Sequence, residues 1–169
     1  MRTVALRVSA LALLLLLILV SAVTVRMLNR LPNSVVYFVK SQGATSTLEG
    51  VRRRFDADTP EARLRAALTA LIEGPGEAGL SSAFPPDVEV RGLERIASHI
   101  TVDLSDEFAK EHAPALMEGR LNQLFYTLSQ PTDVESVSLR VEGQLVYALG
   151  RVAVAQPWRE GAERSLPTW

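Results

Sequence analysis

Hydrophobic positions follow three different rhythms along this chain. The first is an unbroken run. Between Arg7 and Arg26 stand 18 residues, VSALALLLLLILVSAVTV, in which only Ser9, Ser21 and Thr24 carry polar side-chain atoms. As a helix this run would be about 27 Å long, close to the ~30 Å hydrocarbon core of a bilayer. Its hydroxyls can bond back to the preceding turn. A secretory signal usually has a shorter apolar region, about 7–15 residues. The expectation is therefore a retained single-pass anchor over 8–25, after a cytoplasmic n-region at 1–7 and before a tether at 26–33. Cleavage after Ala22, which ends the small-residue sequence Val20-Ser21-Ala22, is the alternative, and either outcome exports the rest. Arg2, Arg7 and the α-amino group precede the run, and Arg26 and Arg30 follow it. This shallow gradient favours an N-terminus inside the cell and a domain on the extracytoplasmic side of the cell membrane.

The second rhythm is the period of two. Ser34 to Lys40 is a β-branched and aromatic run of strand length, closed by Ser41-Gln42-Gly43. Thr47 to Phe55 reads as a second strand, with Val51, Arg53 and Phe55 on one face and Arg52 and Arg54 on the other. Alternation thus divides the Arg52-Arg53-Arg54 run between two faces, as on a solvated edge strand. After Leu80-Ser81-Ser82-Ala83-Phe84-Pro85 the pattern returns. Val88, Val90 and Ile96 mark one strand, with a kink or bulge at Gly92. His99 to Leu104 forms another, with Ile100, Val102 and Leu104 inward. Val134 to Val141 alternates Val137, Leu139 and Val141 against Ser136, Ser138 and Arg140. A turn at Glu142-Gly143 leads to a return strand from Leu145 to Leu149.

The third rhythm is helical. Thr59 is the expected N-cap, Pro60 takes the first helical position, and Glu61 suits the positive end of the helix dipole. Leu64, Ala67, Leu68, Leu71 and Ile72 form one apolar face, Gly74 supplies a left-handed cap and Pro75 forbids continuation. Pro114 opens a second helix with a stripe of Met117, Leu121, Leu124, Phe125 and Leu128, ended by Gln130-Pro131. Ser105 can cap a short turn over Asp106–Ala109. Beyond Gly150, Pro157, Gly161 and Pro167 break every period, so 151–169 reads as an irregular tail. The resulting order, ββα-ββα-ββ, predicts an α+β domain over 34–150. It would be one mixed sheet with two helices packed on one face.

Composition narrows the function classes. Of 169 residues, 47% are hydrophobic, enough for one packed core. The net charge of −1 becomes −3 when Arg2 and Arg7 are set aside, which leaves 16 basic against 19 acidic residues. Such a domain lacks the basic face that a polyphosphate partner requires, so nucleic acid is not an expected partner. With no cysteine, disulfides, thiolate metal sites, thiol nucleophiles and the modified cysteine of a bacterial lipoprotein are excluded.

Catalytic groupings do not emerge. His99 and His112, the only histidines, have no neighbouring ligand at metal spacing. Asp103, Asp106 and Glu107 lack the alternating oxygen ligands and glycine turn of a calcium loop. Strand-end and helix-dipole roles explain them. No phosphate loop, nucleophile elbow or Ser-His-Asp order is present. No catalytic, cofactor-binding or metal residue is therefore assigned, no cofactor is expected, and the chain is not expected to be an enzyme.

Several blocks taken together resemble the GerM domain, the family of sporulation and spore-germination protein M. They are Val36-Tyr37-Phe38-Val39, Ala70-Leu71-Ile72-Glu73-Gly74-Pro75, and Leu80-Ser81-Ser82-Ala83-Phe84-Pro85. Ile100 to Phe108, Gln123 to Gln130, and the strand from Val137 to Glu142-Gly143 follow in family order, so the resemblance covers nearly all of 34–149. Pro86-Asp87 departs from the more usual Pro-Gly turn. The lipoprotein cysteine of many relatives is also missing, and the hydrophobic anchor would replace it. The resemblance implies a small non-enzymatic module similar to those that assemble rings in envelope-spanning machines. Its expected partners are itself or another envelope protein. Some relatives stand beside cell-wall amidases, which makes a peptidoglycan-binding accessory role the alternative.

Overall fold

The computed structural model describes residues 13–14, 16–24, 34–43, 45–110, 113–130 and 134–159. The chain divides into two compact units, Met1–Pro32 and Asn33–Trp169. In the first, residues 13–14 and 16–24 are helical, and the Thr24 hydroxyl donates to the carbonyl of Val20 at 2.8 Å. Among the described residues no helix is long and apolar enough to cross a membrane. Residues 8–12, 15 and 25 of the expected span, the n-region and the tether at 26–33 lie outside the described residues.

The second unit is α+β. Strands β1 (Ser34–Gln42) and β2 (Thr45–Arg53) form an antiparallel hairpin, followed by helix α1 (Pro60–Glu73). Thr59 caps this helix by accepting from the Ala62 N–H at 3.1 Å. At the other end the Gly74 N–H donates to Ala70. Gly74 has φ 97° and ψ 174°, an extended conformation open to glycine, where the sequence suggests a left-handed helical one. Leu64, Ala67, Leu68 and Leu71 are buried as expected, and Ala70 joins them while Ile72 is half-buried.

Beyond α1 come β3 (Leu80–Ser81), β4 (Val90–Ile96) and β5 (His99–Leu104), then a 3-10 turn at Asp106–Ala109 and helix α2 (Pro114–Leu128). After α2 come β6 (Ser136–Val141), β7 (Gln144–Leu145), β8 (Ala148–Leu149) and β9 (Val152–Ala153). The expected single mixed sheet is corrected, among the described residues, to three sheets, ordered β2-β1-β3, β4-β5-β6-β7 and β8-β9. Leu80–Ser81 does not lead into the second strand pair; it pairs with Val39–Lys40 on the first sheet. All pairings are antiparallel except β5 with β6, which run parallel with α2 between them in sequence. The bulge at Gly92 appears as a register shift between Val90 and Gly92.

Both helices pack against β1 and against each other. One core joins Val36, Phe38, Leu68, Leu71, Ile100, Val102, Leu104, Phe108, Leu124, Leu128, Val137 and Leu139. All five residues of the expected α2 stripe are buried. β2 is an edge strand that ends at Arg53, short of the expected Phe55; Arg52 on it and Arg54 just beyond it are exposed, as alternation required. Arg53 turns inward, donates to the carbonyl of Pro75, and sets its guanidinium 5.3 Å from the Phe38 ring centre.

Two further corrections concern the C-terminal half. The return strand after Glu142-Gly143 is Gln144–Leu145 alone, and Ala148–Leu149 turns away to pair with Val152–Ala153. The expected irregular tail is folded over 151–159. Val154 enters the core, and Trp158 exchanges two backbone hydrogen bonds with Val137, at 2.9 and 2.8 Å. Between β7 and Trp158 the ladder of β6 is completed by a side chain. Gln156 Oε1 accepts from the Leu139 N–H at 3.1 Å, and its Nε2 donates to the carbonyls of Leu139 and Val146. Residues 160–169 lie outside the described residues.

Candidate binding cleft

Helix α2 carries polar residues on two faces. Towards the interior, Arg120, Gln123 and Thr127 are all at most 1% exposed. β1 has strand partners on both edges only near Val39 and Lys40, so the outer backbone groups of Tyr37 need another partner. Helix α2 supplies it. Thr127 Oγ1 accepts from the Tyr37 N–H at 3.1 Å, and Gln123 Nε2 donates to the Tyr37 carbonyl at 3.0 Å. Gln123 Oε1 also accepts from the Ala83 N–H at 2.7 Å. Arg120 donates through Nε to the Ala83 carbonyl at 3.1 Å and through NH1 to the Phe108 carbonyl, with its guanidinium 5.6 Å from the Phe108 ring centre. Burial pushes its pKa down from the usual arginine value. The helix therefore serves as the missing neighbour of β1 and tethers the loop that follows β3. Gly50, opposite Tyr37, leaves room for the Tyr37 ring, since a Cβ there would lie 3.2 Å from Cε1.

The carboxylates singled out in the sequence also hold backbone. Asp103 Oδ1 accepts from the Gly143 N–H at 3.0 Å. Glu142 Oε1 accepts from the Asp106 N–H at 3.0 Å, and its Oε2 pairs with Arg91 at 2.7 Å. Together these bonds join the ends of β5 and β6 to the turn after β6. Ser105 does not cap the 3-10 turn through its side chain. Its hydroxyl accepts from the Glu89 N–H at 2.9 Å, tying β5 to the segment before β4. That hydroxyl is also the largest influence holding the Glu107 carboxyl down at about 2, followed by backbone hydrogen bonding and assisted by Asp106 and Lys110. His99 Nδ1 lies 2.7 Å from Ser136 Oγ across the β5–β6 pair, and His112 lies outside the described residues. Among the described residues no group of His, Asp and Glu has the arrangement of a metal site.

The outward face of α2 is different. There Glu118, Leu121, Asn122 and Phe125 face Arg151–Ala155 and Trp158 across a cleft of about 400 Å³. Its floor is apolar: Leu121, Phe125 and Val154 are buried. Trp158 stacks on Phe125, with ring centres 5.0 Å apart and planes 7° from parallel. Tyr126 meets the indole edge-on at 5.8 Å and reaches Tyr37 at 5.7 Å. Offset stacking and edge contacts of this kind fix aromatic rings in place. Glu118 and Arg151 are exposed and Asn122 is half-buried. The side chains of these three form no hydrogen bond or ion pair among the described residues.

The sequence assigned no site and gave no sign of this cleft. One wall belongs to the segment read as irregular. The signal present there was the alternation of Val152 and Val154, followed by Trp158.

Comparison with known proteins bears on the same region. Residues 35–147 match the family model described as Germane: sporulation and spore germination. No curated protein sequence matches the chain. Among solved structures, the tandem GerMN domains of the sporulation protein GerM from Bacillus subtilis share 24% identity at a TM-score of 0.57, over 68% of this chain and 40% of that one. The first GerMN domain of the same protein shares 17% identity at a TM-score of 0.59, over 75% and 96%. A candidate lipoprotein from Clostridium perfringens shares 21% identity at a TM-score of 0.55, over 75% and 85%. The β8–β9 hairpin and Trp158 lie beyond the residues that the family model matches.

Proposed function

The chain belongs to the Germane family of sporulation and spore germination, and on that premise we propose that it is a non-catalytic binding module of the bacterial cell envelope. In this reading its N-terminal apolar run anchors it to the membrane, with the domain on the extracytoplasmic side. The observation that carries the proposal is the division of labour among polar groups. Asp103, Glu142, Arg120, Gln123 and Thr127 bind backbone and hold the fold. The side chains of Glu118, Asn122 and Arg151, without partners among the described residues, instead border a cleft floored by Leu121, Phe125 and Val154, as in a recognition surface. The 18-residue apolar run and its flanking arginines support the anchored topology. Anchoring confines the domain to two dimensions, which raises effective concentration and makes weak contacts matter.

Crosslinking in intact cells, followed by mass spectrometry, tests this reading. Adducts with a second copy or with another envelope protein are expected. A protein that stays uncrosslinked yet pellets with purified peptidoglycan would replace it with the wall-binding accessory role. N-terminal sequencing of the mature protein tests the anchor separately, and a start at Val23 would refute it.

A further inference from the structure

We infer that the open face of the β4-β5-β6-β7 sheet is the contact between two copies of this chain, packed face to face about a two-fold axis that runs along the strands between β5 and β6. This inference rests on the binding-module reading and commits one partner, a second copy, to a face separate from the cleft.

The strand register defines that face. Ile100, Val102, Leu104, Val137 and Leu139 point into the core, so the residues between them point away from it. Directly paired residues share a side of the sheet. The pairings therefore set two outward rows, Gly92-Asp103-Arg140-Leu145 and Glu94-Thr101-Ser138. The Val146 N–H donates to the Leu139 carbonyl at 3.2 Å, which continues the β6–β7 register and ends the second row on Tyr147. Among the described residues of the second unit, Ile96, Leu116, Leu145 and Tyr147 are the exposed large apolar side chains, and all but Leu116 stand on this face.

A second copy fits this pattern because the face is complementary to itself. The two-fold axis exchanges β4 with β7 and β5 with β6, so each row meets its own reverse. Leu145 of the second copy stands over Gly92, where a Cβ would point to this face, 3.5 Å from that of Asp103, and glycine has none. Arg140 of the second copy stands over Asp103, whose Oδ1 holds the Gly143 N–H and whose Oδ2 is left for a guanidinium. Tyr147 of the second copy offers its hydroxyl to Glu94. Each contact occurs twice, and no like charges are placed opposite each other. Glu94 and Arg140 are exposed, and their side chains have no partner among the described residues. Aligned packing lets two sheets of equal twist nest about 10 Å apart. The face spans about 14 Å across the strands and about 13 Å along them, well below the ~800 Å² per partner of a standard interface. The contact is therefore weak and depends on the confinement that anchoring provides.

The test uses the full chain in its own membrane. The sequence has no cysteine, so introduced thiols are the only ones. Two differently tagged copies, one Glu94→Cys and the other Tyr147→Cys, are treated with a short bis-maleimide. The mixed pair should link, whereas either variant alone should not, because identical positions lie about 14 Å or more apart across the axis. Leu116→Cys with Tyr147→Cys sets the collision background, since Leu116 lies on α2 behind the sheet. Arg140→Glu in both copies should keep the thermal midpoint and lower the linked fraction about fivefold or more, by setting like charges opposite each other. Linking no better than background, or unchanged in Arg140→Glu, would overturn the pairing. If intact cells still gave crosslinks to another envelope protein, the module reading would stand without it. If they gave no crosslinked protein at all, both would fall.

Discussion

Gln123 and Asn122 are neighbours on α2 with the same terminal amide, and their circumstances differ sharply. Gln123 is 0% exposed and satisfies the Tyr37 carbonyl and the Ala83 N–H. Asn122 stands half-buried on the cleft wall and binds nothing among the described residues. The difference teaches that helix α2 has two jobs. Its inner polar face replaces a missing strand beside β1, where buried backbone groups must be paired. On its outer face the side chains of Glu118 and Asn122 have no partner among the described residues and stand beside the cleft of the proposed recognition surface.

The most drastic way to probe the inner side is to charge its core. Leu124→Asp and Leu68→Asp each place an unpaired carboxylate at a fully buried position. The cost, several kcal/mol, approaches the ~5–15 kcal/mol total stability of a typical domain. Circular dichroism should show no cooperative thermal transition, and an unchanged midpoint would mean these faces are not the core. The neighbouring amides give a finer contrast. Gln123→Leu strands two buried backbone groups and should lower unfolding free energy by about 2–4 kcal/mol. Asn122→Leu should stay within about 0.5 kcal/mol of the parent. Equal losses in urea titration would erase the distinction between the two faces.

Trp158→Ala probes the junction between the two regions, since its ring stacks on Phe125 while its backbone pairs with Val137. Only the ring is lost, so a drop of about 1–3 kcal/mol is expected in the same titration. A parent-like value would show that the C-terminal segment is not integral to the domain.

These contrasts also mark what could be read in advance. Helix α1 was legible because its signals are local: Thr59-Pro60 at one end, Gly74-Pro75 at the other and a regular apolar face between. Strand β5 was equally plain, as Ile100, Val102 and Leu104 alternate without interruption. The division into three sheets was not legible. Leu80–Ser81 is too short to show a period, and its pairing with Val39–Lys40 is decided across a long stretch of sequence. Gln156 supplies side-chain amide bonds where a strand would supply backbone, which no strand pattern can reveal. The cleft escaped for the same reason. It exists only where residues 118–125 meet 151–158, and the prolines and glycine of the last segment masked its ordered part.

The smallest expected effect concerns pH. Glu107 is held from its ordinary 4.5 down to about 2, chiefly by the Ser105 hydroxyl. A carboxyl depressed on folding stabilises the native state above its unfolded pKa, and that contribution disappears as pH falls through the folded value. The relevant window therefore runs from about 4.5 down to about 2. Glu107→Gln should flatten the acid dependence of the thermal midpoint in this window and leave it little changed near neutrality. An acid profile superimposable on the parent would remove Glu107 from the account. As a purified protein, residues 31–169 should also fail to hydrolyse peptidoglycan, peptides or phosphoesters. Activity that vanished in Asp103→Asn or Glu107→Gln with the fold intact would make these carboxylates catalytic.

The separation of folding from recognition is tested most directly by Arg151→Glu in the full chain, with unfolding free energy and crosslinking in intact cells measured on the same variant. The Arg151 side chain is exposed and makes no bond among the described residues, so the urea midpoint should match the parent while crosslinks to other envelope proteins disappear. A variant that crosslinks to them as efficiently as the parent, or that loses those crosslinks only by losing stability, would contradict the claim that the outer face of α2 and the C-terminal hairpin form the surface that binds them.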